Sequence, residues 1–388
     1  MTDKKRARVI AYYLPQYHPV PENDKFWGKG FTEWTNVAKA KPLFRGHHQP
    51  NIPADLGFYD LRLPEIREEQ AKLAREAGIE GFCYWHYWFG NGKKVLDMPF
   101  NEVLKTGKPD FPFCLGWANH SWTTKTWEKG KSLTSETMIF EQLYPGEGDY
   151  IAHFYDVLPA FKDNRYITVD NKPLFVVFDP ENFRDSKLFI ETWNRLAIEN
   201  GLKGVYFVGR CDALPSMNAQ KYNNISQLTK PRYAEMCNKG YDGINSVTLK
   251  YAEFKATGFL HKAIHSTMRK LMGGIALDKY KYEDIINNII TPEDYKENVY
   301  PQLIPRRDRS PRAGRKAVIY YGSNPKKFEI ACEKAIKCVE NRKPDHRLVF
   351  LNAWNEWGEG AYMEPDLEFG KEYIYTLARV LGEKNEND

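Results

Sequence analysis

The sequence predicts an α/β fold: a (β/α)8, or TIM, barrel with extended loops and extra helices in its second half. Three observations carry that expectation. Eight apolar, aromatic or β-branched runs recur along 388 residues. Helical patterns separate most of them, as parallel strands with crossover helices require. Several runs begin apolar and finish dense in Trp, Tyr, His, Asn and Glu, and barrel chemistry sits at the C-terminal ends of strands.

The runs are Val9–Tyr17, Gly81–Phe89, Phe113–Trp122, Pro173–Pro180, Gly204–Gly209, Gly240–Ser246, Ala317–Gly322 and Leu348–Trp357. Apolar residues repeat at helical spacing from Glu65 to Glu76, and Gly78 ends the pattern. The stretch from Ser186 to Asn200 behaves alike and is closed by Gly201, while Lys326 to Lys337 is opened by Ser323-Asn324-Pro325. Two regions interrupt the alternation. Asp212 to Lys239 has little periodicity. Leu249 to Arg315 carries extra helices, including a basic amphipathic stretch from Tyr251 to Met272. There Lys255, Lys262, Arg269 and Lys270 oppose Phe259, Leu260, Ile264, Met268 and Leu271. Such a helix packs on its own barrel or lies on a membrane surface. Residues 1–388 read as one catalytic barrel domain with an inserted region at about 249–316.

Hydrophobic residues form 42% and charged residues 28% of the chain, which fits a packed core. The six cysteines (Cys83, Cys114, Cys211, Cys237, Cys332 and Cys338) form no CxxC pair, so free thiols in a reducing compartment are expected. The start Met1-Thr2-Asp3-Lys4-Lys5-Arg6 leads into a run broken by Pro15 and Gln16, a poor signal peptide, and no apolar window reaches membrane-spanning length. A cytoplasmic protein with at most peripheral membrane contact is expected. Net charge is +5, and Arg306 to Lys316 alone holds six basic residues against one acid. The remaining sequence is near neutral, which argues against nucleic acid as partner. One anion site or one solvated basic loop accounts for the excess.

The last run ends in Asn352-Ala353-Trp354-Asn355-Glu356-Trp357-Gly358-Glu359-Gly360. Breaking a glycosidic bond needs one group to protonate the leaving oxygen and another to supply electron density near the sugar carbon. Two carboxylates in unlike surroundings divide that work. Glu356 and Glu359 are therefore the candidate catalytic pair. Candidate substrate-binding residues are Tyr13, Glu33, Trp34, Tyr84, His86, Trp117, Asn119, His120, Trp122, Asp308, Arg312, Asn355 and Trp357. Flat rings cover sugar C–H faces, and polar neighbours hold hydroxyls. Alternation sends only every second strand side chain inward, so about half of the strand candidates belong to packing. No metal or cofactor is expected.

Four segments carry a resemblance: residues 12–62 (beginning YYLPQYHP and including GFTEWTN), GFCYWHYWF at 81–89, PDFPFCLGWANHSWT at 109–123, and AWNEWGEGAYMEPD at 353–366. Together they resemble the WbsX-type proteins of bacterial polysaccharide biosynthesis, relatives of the glycoside hydrolase family 99 endo-α-mannosidases. The resemblance implies a (β/α)8 barrel and a retaining two-glutamate mechanism. It implies Glu356 as the base that takes the sugar 2-hydroxyl proton and Glu359 as acid/base. The chain departs from the family pattern at His120, where an acidic residue is common, and across Pro305 to Arg312. Asp308 and Arg312 stay candidates there, while Arg307 and Arg309 read as substitutions.

Three functions follow. A retaining hydrolase or transglycosylase would act on a glycan or glycolipid. A glycosyltransferase for O-antigen, capsule or lipopolysaccharide would use a sugar-nucleotide or lipid-linked donor, with the Arg-rich segment on a pyrophosphate; no DxD motif in a credible loop supports it. A non-catalytic glycan-binding protein would keep the site without turnover.

Overall fold

Strand β1 (Arg8–Tyr13) is the hub on which the architecture closes, because it pairs in parallel with both the second strand and the last. The computed structural model describes residues 5–123, 138–213, 225–257 and 277–382. The other barrel strands are β2 (Gly81–Trp88), β3 (Phe113–Trp117), β4 (Lys172–Val177), β5 (Tyr206–Asp212), β6 (Gly243–Val247), β7 (Val299–Leu303) and β8 (Leu348–Leu351). Each pairs in parallel with the next, and Arg8 opposite Leu348 closes the ring. This is a closed (β/α)8 barrel.

Helices wrap the outside. They include α1 (Pro64–Glu76), α2 (Met98–Thr106), α3 (Glu147–Phe161), α4 (Ser186–Glu199), α5 (Ile225–Asn238), α6 (Tyr282–Asn288), α7 (Pro325–Lys337) and α8 (Glu372–Leu381). Pro at the first turn starts α1 and α7, where its missing N–H loses nothing. Asn324 caps α7 by accepting from the Lys327 backbone N–H.

Two sequence expectations are corrected. The run Ala317–Gly322 does form a strand, Val318–Tyr321, but it lies outside the barrel in a small sheet with Asp278–Lys281 and Arg307–Asp308. The seventh barrel strand is β7, whose Tyr-Pro-Gln core hides its strand character. The connection Asp212–Lys239 contains α5, whose buried face of Ile225, Thr229, Tyr233 and Met236 keeps helical spacing with few strong apolar residues. Most of the basic amphipathic stretch, including Lys262, Arg269 and Lys270, lies outside the described residues.

Alternation along the strands sorts the aromatics into two layers. Inside the barrel, Tyr12 stacks on Trp85 at 4.6 Å and its hydroxyl crosses to Asn245 Oδ1 at 2.8 Å. Below them Tyr206 and Tyr300 join hydroxyls at 2.6 Å. Outside, Trp193 of α4 packs on Phe175, Phe189, Phe207 and His153. Among the described residues no helix is long and apolar enough to cross a membrane. The six cysteines are free thiols, five of them buried.

Candidate active site

The Asn355–Gly360 segment leaves β8 as a tight hairpin. Asn355–Glu356 pairs antiparallel with Ala361–Tyr362, and Trp357–Glu359 forms a 3-10 turn between them. Asn355 ties the hairpin to the end of β1: its Oδ1 accepts from Leu14 N at 2.8 Å and its Nδ2 donates to Leu14 O at 3.0 Å. The Tyr17 hydroxyl donates to the Asn355 carbonyl and accepts from Trp357 N at 3.1 Å. Trp357 stacks on Tyr362 with ring centroids 3.7 Å apart, and its indole N–H donates to buried Glu364 at 2.6 Å. Glu364 also accepts from Gln70 and Tyr59. The hairpin is thus held from below and behind before any ligand arrives.

A second wall comes from the segment after β7. Arg312 is buried and bridges two carboxylates. Its Nε donates to Glu33 Oε1 at 2.8 Å and its Nη1 to Glu359 Oε1 at 2.7 Å. Arg307 and Arg309 each approach Glu359 at 3.2 Å. Asp308 faces away from this cluster. Its carboxylate accepts from His47 at 2.7 Å, from Gln49 at 2.5 Å and from Ser310 N at 2.9 Å. His47 Nδ1 accepts from Leu43 N at 3.0 Å, so the ring hydrogen sits on Nε2 and points at Asp308. Asp308 therefore anchors the arginine segment.

The two glutamates feel opposite fields. Burial, then the negative charge of Glu359, push the Glu356 carboxyl up to about 7, against the pull of Arg312 and Arg307. Burial would raise Glu359 as well, but Arg309, Arg307 and Arg312 outweigh it and hold this carboxyl well below the usual carboxylate range. Glu33 is completely buried, raised by burial and opposed by Arg312. Near neutral pH Glu356 can hold a proton and Glu359 is an anion. That distribution is the reverse of the roles that the family resemblance implies.

The sequence-predicted residues divide into four groups. Tyr13, Tyr84, His86 and Trp117 lie on the outer face of the barrel wall, because their strand parity is the outward one. Tyr13 donates to Gln70 of α1, Tyr84 packs on Phe100 of α2, His86 meets His153 of α3 at 2.9 Å, and Trp117 packs on Phe189 of α4. The inward positions of the first two strands are held by Tyr12, Trp85 and Tyr87. Trp34, Asn119, Asn355, Trp357 and Asp308 are committed to scaffolding. Trp34 donates to Tyr59 O at 2.7 Å, and Asn119 is held by Asp179 and Tyr144. Glu33 and Arg312 stand directly behind Glu359. His120 and Trp122 lie on the loop after β3. Trp122 meets Tyr87 edge-on at 5.0 Å, and Tyr87 senses the charge of Glu356. His120 packs on Phe178 and burial lowers it to about 4, so its ring is neutral.

A family model described as "Glycosyltransferase WbsX" matches residues 9–377. The chain belongs to the WbsX glycosyltransferase family. It is 32% identical over 97% of its length to the "uncharacterized protein WxcX" of Xanthomonas campestris pv. campestris, in strains B100 and ATCC 33913. The chain spans about half the length of these curated relatives, 50% in each case. Among solved structures, a "glycoside hydrolase-like protein" is similar with TM-score 0.60 and 15% identity, over 99% of this chain and 96% of that one. A GH99 endo-alpha-mannosidase from Bacteroides thetaiotaomicron in complex with bis-tris-propane is similar with TM-score 0.52 and 14% identity, over 96% and 95% of the two chains. At that identity the likeness is one of fold.

Within this WbsX-family barrel, sequence reasoning set aside Arg307 and Arg309, which the structure brings to Glu359. The signal was present in the basic run from Arg306 to Lys316. Arg306 of the same run is unrelated to the pair. It lies against Tyr362 and Tyr373 and donates to Asp366 at 2.5 Å.

Proposed function

We propose that this chain is a carbohydrate-active enzyme that breaks or makes a glycosidic bond at the barrel mouth, with Glu356 and Glu359 as its catalytic carboxylates. The observation that carries the reading is the unequal pair: one half-buried carboxyl, raised by burial and by its neighbour's charge, three residues from one held as an anion by three guanidiniums at 2.7–3.2 Å. Glu356 then donates the proton to the departing glycosidic oxygen. Glu359, already negative, stabilises the positive charge that develops on the sugar ring. WbsX membership supports a role in cell-surface polysaccharide metabolism, O-antigen or capsule.

The test is a leaving-group comparison. Glu356→Gln should lose about 10²–10⁴-fold in rate on a glycoside with a poor leaving group, and far less on an activated aryl glycoside. Equal losses on both would remove the acid role.

A glycosyltransferase working from a sugar-nucleotide or lipid-linked donor is the second reading, favoured by the family description and the arginine cluster. Stabilisation by a nucleoside diphosphate in thermal melting, absent with free sugars, would select it.

A further inference from the structure

The interior of the barrel below the hairpin contains polar groups that the two-glutamate chemistry does not use. Arg210 on β5 and Asn245 on β6 are register partners. Asn245 faces inward, since it receives the hydroxyl of Tyr12 from across the barrel. On β7, Asn245 lies opposite Tyr300, and Gln302 follows two residues later on the same inward face.

Asn245 and Tyr300 are satisfied, but Gln302, Arg210 and, near them, His120 carry buried atoms with no partner among the described residues. Gln302 is 3% exposed, and neither its Oε1 nor its Nε2 has a hydrogen-bond partner. Arg210 rests its guanidinium on the ring of Phe178 at 4.7 Å, and its buried Nε has no partner. The face of the same Phe178 carries His120, with centroids 4.9 Å apart, whose buried Nδ1 is also unpartnered. Acids at the neighbouring strand ends are engaged elsewhere: Glu181 with Arg232, Asp212 with Lys250 at 2.6 Å, and Asp179 with Asn182 at 2.8 Å. Among the described residues Arg210 has no counter-ion.

Buried polar atoms without partners are costly, and the half-buried guanidinium of Arg210 keeps its charge free for an incoming anion. A ligand that supplies both resolves the arrangement. Gln302 can donate and accept at once, as a sugar hydroxyl pair demands. The planar guanidinium matches a carboxylate or phosphate edge. We propose that Arg210, Gln302 and His120 form a subsite at the barrel mouth, below the hairpin, for a sugar that carries a negative charge, with the anion on Arg210 and the ring hydroxyls on Gln302. The proposal rests on the reading of the mouth as a glycan site and names its substrate class: an acidic sugar. A uronate carboxylate and a sugar phosphate share the chemistry, and the test separates them.

Binding to the full chain is measured by titration calorimetry with the methyl glycosides of glucose, galactose and mannose, their uronates, and the three hexose 1-phosphates. At least one anionic member should bind about tenfold or more tightly than its neutral parent, the step expected of one charge-assisted contact. A uronate or a phosphate winner identifies the anion. Arg210→Gln should lower the ratio of anionic to neutral affinity by about 10–100-fold, and Arg210→Lys should lower it less. Gln302→Leu should weaken the anionic sugar and its parent together. If every neutral sugar binds as tightly as its charged counterpart, or if both Arg210 variants keep the ratio, the acidic subsite is overturned while the glycan reading stands. If no sugar of any class binds, both fall.

Discussion

At the scale of the residue, the decisive feature is that Glu356 and Glu359 share a neighbourhood and differ in charge. The difference is testable on stability as well as rate. Folding raises Glu356 from its ordinary 4.5 to about 7, so the folded chain holds a proton there that the unfolded chain has released. Stability tied to this group is therefore present below about 4.5 and is lost as pH rises toward about 7. Glu356→Gln keeps the neutral shape without the titration. Its melting temperature should fall less than the wild type's between about pH 5 and about pH 8, as differential scanning calorimetry would read. Equal declines in the two proteins would mean that Glu356 does not titrate in that window. Activity that depends on a protonated Glu356 should in turn decline above about pH 7, giving the alkaline limb of the kcat/KM profile.

Glu359 responds in the opposite sense. Its negative charge is the partner of Arg307, Arg309 and Arg312, so Glu359→Gln leaves a cationic cluster facing a neutral amide. Removing one partner of this part-buried cluster should cost about 2–3 kcal/mol, read as a loss in urea unfolding. A variant as stable as the wild type would show that the three arginines find compensation elsewhere. The place of these two carboxylates, past an apolar run among Trp and Gly, is legible in the sequence. Their unlike electrostatic surroundings are not, since these depend on arginines about fifty residues earlier in the chain whose convergence no local pattern reveals.

At the scale of the element, the hairpin of residues 355–362 owes its shape to two glycines with different reasons. Gly360 adopts a left-handed conformation with φ near +57°, and a Cβ there would meet the Asp308 backbone nitrogen at 2.7 Å. Gly358 is constrained by space: a Cβ would lie 1.5 Å from Glu33 Oε1 and 3.0 Å from Arg312 Nε. Gly358→Ala must therefore displace Glu33 and loosen the Glu33–Arg312–Glu359 bridge. The expected outcome is a fall in kcat beyond any loss of fold, with circular dichroism unchanged at low temperature and a melting temperature reduced by several degrees. Unaltered kcat would show that the bridge is not needed for turnover. Strand parity was the element-level feature hardest to read. In GFCYWHYWF every position is aromatic or apolar, so nothing in the pattern says which set faces in; Trp85 and Tyr87 do, while Tyr84 and His86 face the helices.

At the scale of the whole molecule, stability and chemistry occupy different layers. The aromatic shell between β4, β5, α3 and α4 lies outside the lumen, with Trp193 at its centre. Trp193→Ala should cost about 3–5 kcal/mol and leave kcat unchanged at a temperature where the variant is folded. A change in kcat under those conditions would couple the two layers. Five further strands, with the helices α1, α4 and α7, were readable from apolar runs and helical spacing around β1 and β8. The exception was β7, because Pro301 and Gln302 look like a turn, while the more strand-like Val318–Tyr321 serves a peripheral sheet. A barrel strand that faces a polar lumen need not be apolar, and this one carries the side chain left unsatisfied.

The bridge from Tyr12 to Asn245 has a consequence for traffic. With Trp85 and Phe350 stacked beside Tyr12, and the joined Tyr206 and Tyr300 hydroxyls beneath, the axis is plugged partway down. The barrel is a cup and not a pipe. Whatever enters must back out over the same rim, so a long polymer can lie across the opening or dip one end into it but cannot be threaded through.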